Sequence, residues 1–80
     1  PDDAKEFLRG FGETVRACRK ERGLSQEALA DEIPLYRSYL ADVERGARNL
    51  GLVNAWRVAR ALGIPLSQLV SDAEELGHRE

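Results

Sequence analysis

GLSQEALADEIPLYRSYLADVERG, residues 23–46, holds two short helical patterns separated by a single proline. Ser25 places a side-chain oxygen just ahead of an apolar helical pattern, where an N-cap belongs. Gln26 and Glu27 then occupy the first turn, and Leu29, Ala30 and Ile33 fall on one inner face. Pro34 ends this helix, because the residue before a proline is pushed out of the α region. A second pattern starts at once: Leu35, Tyr39, Leu40 and Val43 mark a buried face over about residues 37–45, and Gly46 stops it. That leaves Tyr36, Arg37, Ser38 and Asp42 as polar or polar-tipped groups at the start and on the outer side of the second helix.

Upstream, residues 8–22 carry Leu8, Phe11, Val15 and Cys18 at helical spacing, with Gly23 as a C-terminal stop. ARNLG is a loop. A fourth helix over residues 52–62 is expected to pack Leu52, Ala55, Trp56, Ala59 and Leu62 inward before Gly63. A short fifth helix follows Pro65 with Leu66, Leu69 and Val70, and the tail, 71–80, has little to bury and is expected to fray. There is no strand pattern, internal repeat or linker. The spacing therefore predicts an all-α, compact five-helix domain spanning residues 1–80.

Eighty residues, 42% hydrophobic and 32% charged, have the composition of a single soluble globule. No apolar run approaches the ~18 residues of a membrane span. PDDAKEF lacks the basic-then-apolar order of a signal peptide, and the single cysteine cannot form an internal disulfide, which fits a reducing cytoplasm. The net charge of −2 is unevenly spread. Between residues 9 and 62, Arg9, Arg16, Arg19, Lys20, Arg22, Arg37, Arg45, Arg48, Arg57 and Arg60 outweigh Glu13, Glu21, Glu27, Asp31, Glu32, Asp42 and Glu44. The acids that reverse the balance lie in the flanks. Such a chain can present one basic surface to nucleic acid, although the same charges would also serve as ordinary solvated helix faces. No metal-ligand cluster, nucleophile–base pair or cofactor loop is present, which argues against an enzyme and calls for no cofactor. The GFG at residues 10–12 has no strand before it and no Gly-Lys-Ser/Thr after it, so it is not a phosphate loop. His78 stands alone in the tail.

Two short helices joined by a tight turn, the second offering polar groups at its start, form a helix-turn-helix over about residues 25–46. At this point the chain resembles the xenobiotic-response-element (Cro/CI-type) helix-turn-helix family. FGETVRACRKERGLSQEALADEIPLYRSYLADVERGARN follows that family's pattern without a gap, and LGLVNAWRVARALGIPLSQLV continues it to residue 70. Phage-type repressors, restriction–modification controller proteins and some antitoxins share the pattern. The resemblance implies a lambda-repressor-like fold and a cytoplasmic regulator that binds an operator in double-stranded DNA as a homodimer. The alternative is an antitoxin-like interaction module with a toxin as protein partner and autoregulatory DNA binding, permitted by the acidic flanks and by apolar groups expected to be exposed on the fifth helix.

By resemblance, Tyr36, Arg37, Ser38 and Asp42 face base edges in the major groove, where arginine can grip guanine and a carboxylate can accept from cytosine. Asp42 can equally be a solvated carboxylate that repels wrong sites. Gln26, Arg45, Arg48 and Asn49 take the phosphate-contacting positions, which orient the protein without reading sequence. Arg19 and Glu44 are implied to form an ion pair fixing the reading helix on its scaffold. Trp56, Pro65, Leu66, Leu69 and Val70 form the expected dimer interface, with Trp56 otherwise assigned to the core. Cys18 takes a leucine position and reads as a buried small hydrophobe. Three departures stand out: Pro34 where the family has glycine, Tyr36 where it has a capping Ser, Thr or Asp, and Leu50-Gly51 where it has Pro-Ser. A proline is not expected to adopt the positive φ that the glycine supplies.

Overall fold

The computed structural model describes residues 3–77. The chain forms five helices, α1 (Asp3–Glu21), α2 (Gln26–Glu32), α3 (Arg37–Glu44), α4 (Leu52–Leu62) and α5 (Leu66–Gly77), with no strand among the described residues. α1 begins five residues earlier than its apolar spacing indicates. The added turns half-bury Phe7, whose ring centroid lies 6.2 Å from that of Phe11. Ser25 caps α2, its hydroxyl oxygen accepting from the Ala28 amide.

Every helix contributes to one core: Phe11 and Val15 from α1, Leu29, Ala30 and Ile33 around α2, Leu40 and Val43 from α3, Val58, Ala59 and Leu62 from α4, and Leu69 and Ala73 from α5. Two expectations fail on α4. Leu52 is 76% exposed and Trp56 45% exposed, while Val58 fills the core. The helix carries two apolar stripes, and the one that packs is Ala55, Val58, Ala59 and Leu62 at i, i+3, i+4 and i+7. The frayed tail also fails through residue 77: α5 continues, buries Ala73 and Gly77, and lies along α1. The remainder of the expected tail, 78–80, lies outside the described residues. Close approach explains the added length. A Cβ on Gly10 would sit 2.6 Å from the Ala73 carbonyl oxygen, so only glycine lets α1 and α5 meet there.

Gly12 does the same for the helix-turn-helix. A Cβ there would sit 2.4 Å from the Val43 carbonyl oxygen and 2.5 Å from that of Glu44. The C-terminal end of α3 is thereby seated directly on α1.

The ends of the helices expose the peculiarity of the motif's turn. After α1, the Gly23 amide donates to the Lys20 carbonyl and the Leu24 amide to that of Arg19, the paired bonds of a Schellman motif. After α2 the Leu35 amide donates to the Ala30 carbonyl in the same way, but Pro34 stands where glycine would supply the second donor. Pro34 sits at φ +21°, against the expectation that proline stays out of positive φ. That φ falls about 50° short of the +72° to +78° of Gly23, Gly46 and Gly63, so the turn only approaches the glycine geometry; Ile33 beside it is buried in the core, Leu35 packs against it, and the ring bears the strain.

Candidate nucleic-acid interface

The site is built on α3 and on what holds it. Tyr36 is the N-cap residue of α3 with extended backbone, φ −71° and ψ 145°, and makes no side-chain cap bond. The residue is 83% exposed. Arg37 and Ser38 follow in the first turn, both exposed. A helix start whose cap position holds a solvent-facing aromatic forgoes about 0.5–2 kcal/mol of capping. The Tyr36 side chain thus adds nothing to the cap of α3.

Behind this surface, Arg19 of α1 grips Glu44 of α3. Arg19 Nε donates to Glu44 Oε2 at 2.6 Å and Nη2 to Oε1 at 3.0 Å, a bidentate pair with only 9% and 3% of the two side chains exposed. The remaining Arg19 nitrogen, Nη1, donates to the Leu24 carbonyl at 2.8 Å. The hydrogen bonds to Glu44 raise the Arg19 pKa further above its ordinary value against the opposing effect of burial. Gln26, at the start of α2, donates from Nε2 to Glu44 Oε1 at 3.0 Å. One carboxylate thus ties α1, α2 and α3 together, and Gln26, read from the sequence as a phosphate contact, is half committed to this network.

A cleft of about 550 Å³ opens beside the pair, lined by Arg16, Ser25, Gln26, Glu27, Arg37 and Arg45 among others. Arg16 was invisible as a site residue in the sequence, because it belongs to the scaffold helix, twenty-one positions from Arg37. Its only signal there was an exposed register on α1. The cleft brings Arg16, Arg37 and Arg45 around a single opening, the arrangement that attracts a polyanion.

The other sequence-derived residues disperse. Asp42 faces two arginines: its Oδ1 accepts from Arg45 Nη2, and its Oδ2 lies 3.8 Å from Arg48 Nε. The Arg48 guanidinium carbon sits 4.5 Å from the centroid of the Tyr39 ring. Asn49 borders a different feature, an apolar groove lined by Phe7, Leu8, Leu52, Leu66 and Val70. Of the expected dimer contacts, Leu69 is fully buried in the protomer's own core and has no side-chain surface to offer a second copy. Leu66 and Val70 are half-buried and Pro65 is exposed. The large exposed apolar side chains lie on α4 instead of α5: Leu52, Val53 and Trp56, the last with the Arg60 guanidinium carbon 4.7 Å from its ring centroid. Burial, aided by the carboxylates of Glu21 and Asp72, pushes the pKa of the half-buried Cys18 thiol up.

Comparison with known proteins converges on this motif. The helix-turn-helix family matches residues 15–69, from the middle of α1 to α5. The control protein C.MunI of a Mycoplasma species is 46% identical over 66 residues, covering 81% of this chain and 89% of its own. The restriction-modification controller protein C.AhdI from Aeromonas hydrophila superposes with a TM-score of 0.75 at 48% identity, over 78% of this chain and 94% of that one. The controller protein C.Esp1396I, whose tetramer is known in complex with its natural 35-base-pair operator, shares the fold at 23% identity with a TM-score of 0.80, over 91% and 96% of the two chains. With its two motif helices, the Arg19–Glu44 tie behind them and these relatives, the chain belongs to the Cro/CI-type helix-turn-helix family.

Proposed function

We propose that this protein is a sequence-specific regulator of transcription that binds double-stranded operator DNA as a homodimer, laying α3 in the major groove. The observation that carries the reading is the start of α3, where exposed Tyr36, Arg37 and Ser38 stand next to the cleft that gathers Arg16, Arg37 and Arg45. A planar guanidinium at a helix start can donate to both acceptors of a guanine edge, and the surrounding arginines supply the phosphate contacts that hold register. The controller-protein relatives favour the same reading.

Two copies are needed for selectivity. One protomer offers a single short reading helix on a body 34 Å long, and half-sites recur at about one helical turn, ~34 Å. The surface proposed for pairing joins Leu52, Val53 and Trp56 of α4 with the apolar groove reaching Leu66 and Val70 of α5. An electrophoretic shift with duplexes drawn from a randomised pool, run at two salt concentrations beside sedimentation of the free protein, tests both halves. Enrichment of a two-fold symmetric sequence by a dimer is expected. Enrichment of nothing would overturn DNA reading, and a monomer at high concentration would overturn the pairing.

A further inference from the structure

Asp42 is the one acid on the outer side of the reading helix, and its surroundings are unlike those of a free base reader. Its carboxylate, with 31% of the side chain exposed, meets Arg45 one turn on and Arg48 beyond the helix end. Arg48 belongs to the irregular segment after α3 and is held at a second point by the Tyr39 ring. Both carboxylate oxygens therefore face guanidinium groups, Oδ1 through a hydrogen bond and Oδ2 through a longer ion-pair contact, so a cytosine amine would have to share the carboxylate with two arginines. A long side chain on a loop carries substantial rotamer freedom, and two contacts remove much of it before any DNA arrives.

We propose that Asp42 is a specificity-determining positioning residue that acts through Arg45 and Arg48 and does not read a base. It orders the two arginines and offsets part of their charge. DNA of arbitrary sequence is then attracted weakly, because each uncancelled arginine adds a sequence-independent phosphate contact. A duplex that matches α3 meets arginines already in place and draws them onto its phosphates. The carboxylate thus widens the gap between right and wrong sites by weakening the wrong ones. This inference rests on the DNA-binding reading above.

The test compares wild type, Asp42→Asn, an Arg45→Ala/Arg48→Ala variant and the triple combination on two duplexes. One is the sequence enriched by wild type from a randomised pool; the other is a scramble of equal length and composition. Asp42→Asn is expected to bind the scramble roughly five- to tenfold more tightly at ~0.1 M salt, as for one added phosphate contact at a slope of ~0.9. Its salt dependence on the scramble steepens by about one, the enriched duplex gains less, and selectivity falls. In the arginine-less background the substitution is expected to do nothing, since Asp42 acts through those side chains. A loss confined to one base pair of the enriched duplex would show Asp42 to be a reader and overturn the inference. So would a gain that persists without the arginines, or unchanged binding to both duplexes. A wild-type protein that enriches no duplex would instead overturn DNA reading, and the role of Asp42 with it.

Discussion

Replacing Glu44 with alanine strikes at the single carboxylate on which three helices converge. The substitution removes the acceptor of two Arg19 hydrogen bonds and one from Gln26. Gln26 is half-exposed and recovers a water, but the Arg19 side chain is only 9% exposed and keeps just the Leu24 carbonyl. A buried charge stripped of its partner costs about 3–5 kcal/mol, against ~0–1 kcal/mol for a pair on the surface. Eighty residues at ~0.05–0.15 kcal/mol each give a total stability of about 4–12 kcal/mol, so Glu44→Ala removes between a quarter and all of it. Urea unfolding reads this directly. With a slope of ~1–3 kcal/mol per molar, the midpoint falls by at least about 1 M. A double replacement, Arg19→Met with Glu44→Leu, is expected to recover most of the loss, because it takes away the charge along with its partner. Arg19 stays protonated through the whole usable pH range: its folded pKa is raised, so its share of the stability persists below the ordinary arginine value and is lost only at extreme alkalinity. A Glu44→Ala loss under ~1 kcal/mol would refute the reasoning, since Arg19 would then have to reach water that the packing denies it.

Three further substitutions probe the motif's local geometry. Pro34→Gly supplies the missing amide donor to the Asp31 carbonyl and relieves a ring held at φ +21°, so a gain of about 1–3 kcal/mol is expected in thermal or urea melts; a loss would mean that the turn is not strained. Tyr36→Ser installs a cap and should stabilise the fold by about 0.5–2 kcal/mol while weakening DNA selection, a combination that a purely structural tyrosine would not show. Gly12→Ala forces a methyl against the Val43 and Glu44 carbonyl oxygens, and is expected to cost about 1–3 kcal/mol and shift α3; wild-type melting of this variant would contradict the close seating of α3 on α1.

What was legible in the sequence was local chemistry. The hydroxyl of Ser25, the stops at Gly23 and Gly46, and the pattern over 52–62 each act within a few residues, and the helices begin or end where those signals lie. Long-range effects were illegible. Nothing local separates the α4 stripe of Leu52, Val53 and Trp56 from that of Ala55, Val58, Ala59 and Leu62; only the placement of the other helices decides which is covered. The last turns of α5 look unsupported until Gly10 of α1, more than sixty residues earlier, is seen to admit Ala73. In the site, Tyr36, Arg37 and Ser38 were legible as groups left over from a buried face. Arg16 was not, because its partners come from another helix, and the ties of Asp42 to Arg45 and Arg48 depend on rotamers and on the path of the loop.

If α3 reads sequence through Arg37, a titration against single-base-pair variants of the enriched duplex locates the base pair that it reads. Wild type and Arg37→Ala are compared on every variant at two salt concentrations. Arg37→Ala is expected to lose about 1–3 kcal/mol on the parent duplex and to become indifferent to substitution at one guanine position, while other positions keep their rank. An even loss across every variant, with a shallower salt dependence, would show that Arg37 only holds phosphate and would contradict the account.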